Sequence, residues 1–179
     1  MVLAAAGCSG SDAGNSQASD GNTPSAENGG SGTSSKDTLI IANTAGEPGN
    51  LHPYNTVSIG ARLPQYMVFD GLIELDTSGK VQPGLAESWE ADEKQITFHL
   101  REGVTFHNGE KMTAEDVVFS IQEMVNNSTG GKATNYSACD VDGITTPDDY
   151  TVVIPMKEDN SAQLSYFAEM LIVNKKAYE

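Results

Sequence analysis

The sequence predicts a mixed α/β fold, and three observations support this prediction. Residues 95–101 alternate polar and apolar side chains, which is the pattern of a strand with one buried face. Residues 113–125 combine a helix-start pattern with apolar side chains at helical spacing. Two β-rich segments, at residues 141–145 and 150–155, flank a polar turn as in a β-hairpin.

The chain divides by composition into a polar leader and a folded part. Its 179 residues are a one-domain length. Residues 9–37 contain no Val, Ile, Leu, Met or aromatic side chain, so they cannot bury enough apolar surface to offset the entropy of ordering them. We therefore expect residues 9–37 to be a disordered tether and residues 38–179 to form the folded domain.

The segments of the folded part follow from local patterns. A helix at residues 58–69 should direct Leu63, Tyr66 and Met67 to its apolar side, although Pro64 is unfavourable inside a helix. Before this helix we predict a buried strand at 38–42 and an irregular loop at 46–54, and after it strands at 72–75, 95–101 and 104–106. A tight turn at 107–109, a helix from Thr113 to Val125, a hairpin at 141–155 and a last helix at 160–171 should follow.

The predicted buried faces come from the same periodicities. In the strand at 95–101, Thr97 and His99 should lie on the face opposite the core. Thr113 should cap the following helix, with the Asp116 carboxylate near its positive end. The predicted core positions of these two elements are Ile96, Phe98, Leu100, Val117, Ile121, Met124 and Val125.

The net charge excludes two classes of partner. The formal charge is −15, from 25 acidic and 10 basic residues. Such a chain repels the phosphates of nucleic acids and the headgroups of anionic lipids. The sequence therefore predicts no nucleic-acid partner. It also contains no apolar run of the roughly eighteen residues that a membrane-spanning helix needs.

The two cysteines have different surroundings. Residues 1–8 end in Ala-Gly-Cys, which resembles the end of a bacterial lipoprotein signal peptide, so we expect lipidation at Cys8. A chance cysteine remains the alternative, because Ala5 stands where leucine is usual and no charged segment precedes it. Cys139 lies in a polar stretch and is predicted to be an inert, half-buried thiol.

The sequence contains no catalytic or metal-binding constellation. His52, His99 and His107 lie far apart, without the short ligand spacing of a metal site. The adjacent carboxylates at 115–116 and 148–149 have capping and turn explanations. No phosphate-binding loop, serine elbow or cysteine–histidine pairing stands in a supporting context. We therefore expect neither an enzyme nor a resident cofactor or metal.

Three sequence blocks, PGLAESW, TFHLREGVTFHNGE and TAEDVVFSI, follow one another in and around residues 85–125. In sequence and order they resemble the family 5 extracellular solute-binding proteins, the peptide- and nickel-binding receptors of ABC importers. The likeness extends to EPGNLHPY, to VFDGLIELDTSGKVQPGLAESW and to VDGITTPDDYTVVIPMKEDNSA. An ordered match of this length is more specific than any single short motif.

This resemblance implies a fold and a function. The fold would be the first part of a two-lobed, periplasmic-binding-protein type II-like structure, namely the start of the main lobe plus its extra subdomain, with the second lobe absent. The function would be that of a substrate-binding lipoprotein, extracytoplasmic and anchored to the membrane, which captures a peptide or similar small solute for ABC permease subunits. A structural or adhesive surface module with the same fold is the alternative.

The resemblance also directs attention to one loop. Residues 46–51 follow a predicted strand, and ligands of α/β proteins bind beyond the carboxyl ends of strands. Glu47 and Asn50 are therefore the predicted ligand-binding side chains, although the loop can equally serve only to support the lobe. Tyr54 and Tyr66 have an apolar face and a polar tip that suit a ligand cleft.

The predicted anchor can be tested by metabolic labelling. Expressed from its source gene, the protein should incorporate a palmitate analogue, because lipoprotein maturation acylates the cysteine that follows the signal peptide. The variant Cys8→Ala should lose the label, whereas the control variant Cys139→Ala should keep it. Labelling that persists in Cys8→Ala would contradict lipidation at this residue.

Overall fold

The computed structural model describes residues 49–55, 59–129, 131–158 and 162–178. The predicted tether, the strand at 38–42, Cys8 and Glu47 lie outside these residues. Within the described residues, no helix has both the length and the apolar character that crossing a membrane requires.

An antiparallel sheet forms the centre of the described structure. Its strands lie in the order β3-β4-β6-β5, and a separate two-stranded ribbon pairs β1 with β2. The strand bounds are Ile73–Leu75 for β1, Val81–Pro83 for β2, Ala86–Ala91 for β3, Gln95–Leu100 for β4, Thr145–Asp148 for β5 and Thr151–Pro155 for β6.

The central strand β4 confirms the alternation read from the sequence. Ile96, Phe98 and Leu100 are buried with relative exposures of 3%, 0% and 2%. Thr97, which alternates with these side chains and was predicted on the other face, is also buried. A strand pairs with β4 on each side of this residue, because Thr97 stands opposite Glu90 in β3 and Val153 in β6.

Helix α2, Ala114–Asn127, covers the sheet and has the predicted core stripe. Val117, Ile121 and Met124 are buried. At its start the Thr113 amide donates to the Asp116 carboxylate over 3.0 Å, which satisfies one amide that the first helical turn leaves without a partner. The helix continues through Asn127, two residues into the predicted loop.

Helix α1, Ile59–Val68, has the predicted range but the opposite orientation. Leu63, Tyr66 and Met67 are exposed at 46%, 46% and 58%, so their assignment to the buried side is wrong. Ala61 and Gln65 are buried instead. A small side chain allows close packing, and the Gln65 amide is satisfied by donating to the His52 carbonyl over 2.9 Å. The buried face of α1 therefore carries a polar contact, while its apolar face is exposed among the described residues.

Several shorter elements also differ from the prediction. Residues 104–106 form no strand, because only an isolated bridge joins Thr105 to Lys111. Strands β2 and β3 were not predicted. The hairpin is present, but residues 145–148 belong to β5 and residues 141–143 form a 3-10 turn.

The predicted last helix is divided into several pieces. Helix α3 spans only Gln163–Tyr166 and runs into a 3-10 turn at Phe167–Glu169. An extended segment, Leu171 to Val173, follows and leads to the short helix α4, Lys175–Tyr178. Phe167 still reaches the core, where its ring meets Phe98 edge-on at a centroid distance of 5.1 Å.

Close backbone packing at Gly84 gives a stability prediction. A Cβ atom there would lie 2.8 Å from the Gly71 carbonyl oxygen and 3.1 Å from the Ile73 Cα. Gly84→Ala should therefore lower the free energy of unfolding by about 1–3 kcal/mol, as overpacking typically does. Urea unfolding measures the effect. Gly49→Ala is the control, since its Cβ would meet no atom within 4 Å; equal effects in both variants would contradict the packing argument.

Candidate functional site

An apolar groove of about 560 Å³ is the candidate site. Four segments surround it: the loop that precedes α1, the end of α1, the turn after β4 and the C-terminal segment with α4. Its lining residues are Leu51, His52, Pro53, Val68, Phe69, Asp70, Leu85, Val104, Thr105, Phe106, His107, Asn108, Met112, Ile172, Val173, Asn174, Ala177 and Tyr178.

The groove has an apolar floor and a polar rim. Met112, Ile172 and Val173 are buried beneath it, and Phe106 packs partly against the core. Asp70 and Asn108 supply polar groups at its edge. Pockets of this composition bind ligands mainly by removing apolar surface from water, while a few polar groups orient the ligand.

The loop at residues 49–55 contributes the groove's N-terminal wall. Asn50 is exposed, and its Oδ1 accepts the His52 amide over 3.0 Å, which makes a local turn. Leu51, the next residue, lines the groove. Glu47 lies outside the described residues, so ligand binding by Glu47 and Asn50 stays a prediction.

The structure corrects the expected roles of the two tyrosines. Tyr54 is completely buried, and its hydroxyl donates to the Leu171 carbonyl over 2.7 Å. Burial raises the pKa of this phenol. Tyr54 therefore joins the loop to the C-terminal segment as a core residue. Tyr66 is exposed and does not line the groove.

His52 is the most highly connected side chain of the loop. Its Nδ1 accepts the backbone amides of Tyr54, over 3.2 Å, and of Asn55, over 3.1 Å. Its Nε2 lies 2.7 Å from the Tyr178 hydroxyl oxygen, and the two rings meet edge-on. Burial lowers the pKa of His52 most strongly; Glu123 raises it and Lys132 lowers it further.

Sequence reasoning missed this role of His52. It treated the residue only as a candidate metal ligand. The partner, Tyr178, stands 126 positions away, so no local spacing could connect the two.

The C-terminal wall is held by buried polar groups of α2. The Asp116 carboxylate accepts the Lys175 amide over 2.9 Å, and the Ser120 hydroxyl accepts the Val173 amide over 3.0 Å. These bonds occupy backbone groups that have no sheet partner, because Leu171 to Val173 form only one isolated bridge. Helix α2 thereby supports both the sheet and the groove.

The reactive side chains of the described residues have no catalytic arrangement around them. Cys139 is 1% exposed, and burial raises the pKa of its thiol to about 11, so the protonated form prevails near neutral pH. It is an inert thiol, as expected, but fully rather than half buried. Over the described residues, no group of three or more His, Cys, Asp or Glu side chains is arranged to hold a metal ion.

Comparison with known proteins gives a consistent result. The family model for "Bacterial extracellular solute-binding proteins, family 5 Middle" matches residues 80–179. The periplasmic oligopeptide-binding protein OppA of Haemophilus influenzae is 35% identical over 133 residues, which are 64% of this chain and 25% of that protein.

Solved structures show the same fold. The H. influenzae OppA complex with the peptide RPPGFSPFR superposes with a TM-score of 0.66 at 30% identity, covering 75% of this chain and 30% of that one. AgaA of A. tumefaciens R10, in complex with agropinic acid, gives a TM-score of 0.68 at 30% identity, covering 74% and 28%. The chain thus spans between about a quarter and a third of the length of these relatives.

The anchoring role of Asp116 can be tested by substitution. Asp116→Ala removes the acceptor of both the Thr113 and Lys175 amides, so it should lower the free energy of unfolding by about 1–3 kcal/mol. It should also speed hydrogen exchange at the Lys175 amide. The control is Glu115→Ala, because its carboxylate is 3.9 Å from the Lys175 ammonium and 78% exposed. The control should change stability by less than about 0.5 kcal/mol; equal losses in both variants would contradict the anchor.

Proposed function

Because the chain belongs to the bacterial extracellular solute-binding proteins of family 5, we propose that it is part of a receptor that binds a peptide and delivers it to an ABC permease. The observation that carries this proposal is the apolar groove with a polar rim, formed within the family's fold. Peptides need both features, because apolar side chains gain from burial while the backbone needs hydrogen-bonding groups.

A peptide is preferred over other solutes because of the relatives. OppA is named as an oligopeptide-binding protein and its solved structure holds a peptide, and it matches this chain in sequence and in structure. AgaA, with agropinic acid, is about as similar in structure. The family's fold therefore accommodates different solutes, and the length of the bound molecule and its side-chain preferences must depend on pocket residues beyond those that line this groove.

The proposed organisation assigns separate roles to the regions of the chain. Residues 1–8 would be the end of a signal peptide with Cys8 as the lipidated residue, and residues 9–37 would be the tether to the membrane. Residues 38–179 would form the start of the main lobe and its extra subdomain. A second lobe, supplied by polypeptide outside these 179 residues, would close over the solute, with Glu47 and Asn50 at the cleft.

The exposed side of α1 is consistent with this organisation. Leu63, Tyr66, Met67 and Val68 are all more than 40% exposed on one short helix. Such a concentration of apolar surface is typical of a face that packs against further protein. In a two-lobed receptor the rest of the main lobe would cover it.

The proposed role is binding and not catalysis. The matched relatives are named as binding proteins. The proposed role predicts a location outside the cytoplasm, as the name of the periplasmic protein OppA states for that relative. The source gene would then lie beside genes for a permease and an ATPase, whereas a structural or adhesive module would have no such neighbours.

Peptide binding can be tested by calorimetry on the complete product of the source gene and on the 179-residue chain, with a library of short peptides. The complete product should bind a peptide class at least tenfold more tightly, because enclosing most of the ligand's surface needs both lobes. Equal affinities would contradict the two-lobed site. Absence of peptide binding by both would contradict the peptide assignment.

The contribution of the groove can be separated from its effect on stability. Phe106→Ala removes half-buried apolar surface from the lining and should weaken peptide binding roughly tenfold, by about 1–2 kcal/mol. The control is Leu75→Ala, which removes an apolar side chain that is 45% exposed and outside the groove. If Phe106→Ala lowers the melting temperature but leaves affinity unchanged, the groove packs against protein and does not contact the solute.

A further inference from the structure

The hydrogen bonds of His52 determine where its single proton lies. Two backbone amides, of Tyr54 and Asn55, point at Nδ1 over 3.2 Å and 3.1 Å. An amide can only donate, so Nδ1 must offer its lone pair and carry no hydrogen. The neutral ring then bears its hydrogen on Nε2, which donates to the Tyr178 hydroxyl oxygen over 2.7 Å.

The contact of His52 with Tyr178 lies near helix α2. The Tyr178 hydroxyl oxygen is the acceptor for His52. Burial raises the pKa of Tyr178 most strongly, and the Glu123 carboxylate of α2 raises it further. Glu123 accepts from the Asn127 amide over 2.8 Å. The His52–Tyr178 hydrogen bond therefore joins the groove's N-terminal loop to α4.

We propose that neutral His52 is the positioning residue of the groove, and that its protonation in mildly acidic surroundings converts the turn at residues 52–55 from a closed form, with both amides bonded to Nδ1, to an open form without these bonds. A proton on Nδ1 would face two amide hydrogens instead of accepting from them. Both amides would lose their acceptor, that of Tyr54 in a part-buried site and that of Asn55 in an exposed one, and the new N–H on the ring would repel the two amide N–H groups. The loop has no sheet pairing that could replace these bonds, because it contains no strand.

The charged groups around His52 come from three neighbouring segments. Glu123 on α2 favours the protonated ring, whereas Lys132, at the start of the following 3-10 turn, disfavours it. The Lys132 ammonium also donates to the Pro53 carbonyl over 2.8 Å, beside the ring. Tyr178 on α4 and Tyr54 in the loop stand beside the ring as neutral phenols, and the uncharged Asn55 side-chain amide lies 3.5 Å from Nε2. The Gln65 side chain on α1 is also uncharged and donates to the His52 carbonyl.

The direction of the pH effect follows from these surroundings. Burial is the largest influence and holds the pKa of His52 below its ordinary value of about 6.5. The folded loop therefore favours the neutral ring. Above the ordinary pKa the ring is neutral in both open and closed forms, and pH has no effect on the loop. As pH falls through the ordinary pKa toward the lowered one, the closed form is progressively destabilised.

The consequence for binding follows from which residues the loop carries. Leu51, His52 and Pro53 line the groove directly, and Tyr178 forms part of the opposite wall. Opening this turn would free Leu51 and His52 to move relative to Tyr178, whereas Tyr54 would stay bonded to the Leu171 carbonyl. This consequence for binding rests on the proposed function, because it concerns the same groove. The position of the proton on His52 is independent of the proposed function.

Nuclear magnetic resonance of the 179-residue chain tests the proposal without any solute. The chain has three histidines, so the ring signals can be assigned with His99→Gln and His107→Gln, which should leave the His52 signals in place. At pH 7.5, the ¹⁵N shifts should report hydrogen on Nε2 of His52. On titration, its pKa should lie below about 6.5, and the protection factors of the Tyr54 and Asn55 amides should fall at least fivefold as the ring protonates.

The matched variant is His52→Asn, whose side-chain oxygen can accept the same amides but does not titrate. Protection of Tyr54 and Asn55 in this variant should not change between pH 7.5 and 5. Hydrogen on Nδ1, a His52 pKa at or above the ordinary value, or pH-independent protection in the unmodified chain would each overturn the proposal. These readings need no ligand, so a failure to bind peptides would overturn the proposed function alone.

Discussion

The burial of the central strand β4 is the constraint on which the rest of the structure depends. Its inward side chains Ile96, Phe98 and Leu100 are almost fully shielded from water, and its backbone is paired on both sides. An apolar strand in this position must be covered, and α2 and the ring of Phe167 supply the cover. Because α2 also carries the groups that anchor the C-terminal segment, the sheet indirectly positions the groove.

The irregular segments around the groove are held by hydrogen bonds to polar side chains and not by the backbone pairing of a β-sheet. Tyr54, Asp116 and Ser120 each accept or donate a hydrogen bond to backbone between residues 171 and 175. Buried backbone without such partners would be costly, so these three side chains make a non-regular wall possible. Substituting any of these three side chains would therefore disturb the groove more than the sheet.

The chain has two different apolar surfaces, the groove and the exposed face of α1. The groove combines an apolar floor with polar groups at its edge, whereas the exposed face of α1 is formed by Leu63, Tyr66, Met67 and Val68. In the proposed receptor, the groove would bind the solute and the exposed face of α1 would pack against further protein of the main lobe.

The sequence by itself determined the elements whose pattern is local. The alternation of β4 and the apolar stripe and Asp116 cap of α2 follow from neighbours within a few residues. The ordered blocks between residues 80 and 179 were also sufficient to indicate the family, because their order along the chain is itself sequence information.

Only the tertiary structure decided the faces and the site. Leu63, Tyr66 and Met67 have helical spacing but are exposed, whereas Gln65 is buried and donates to the His52 carbonyl. The contact of His52 with Tyr178 spans 126 positions, and no periodicity within one element encodes a pairing of two distant irregular segments. Whether Glu47 and Asn50 contact a ligand depends in the same way on where the chain brings them relative to groups far away in sequence. Local patterns determine which residues prefer burial, and only the packing of distant segments decides what they are buried against.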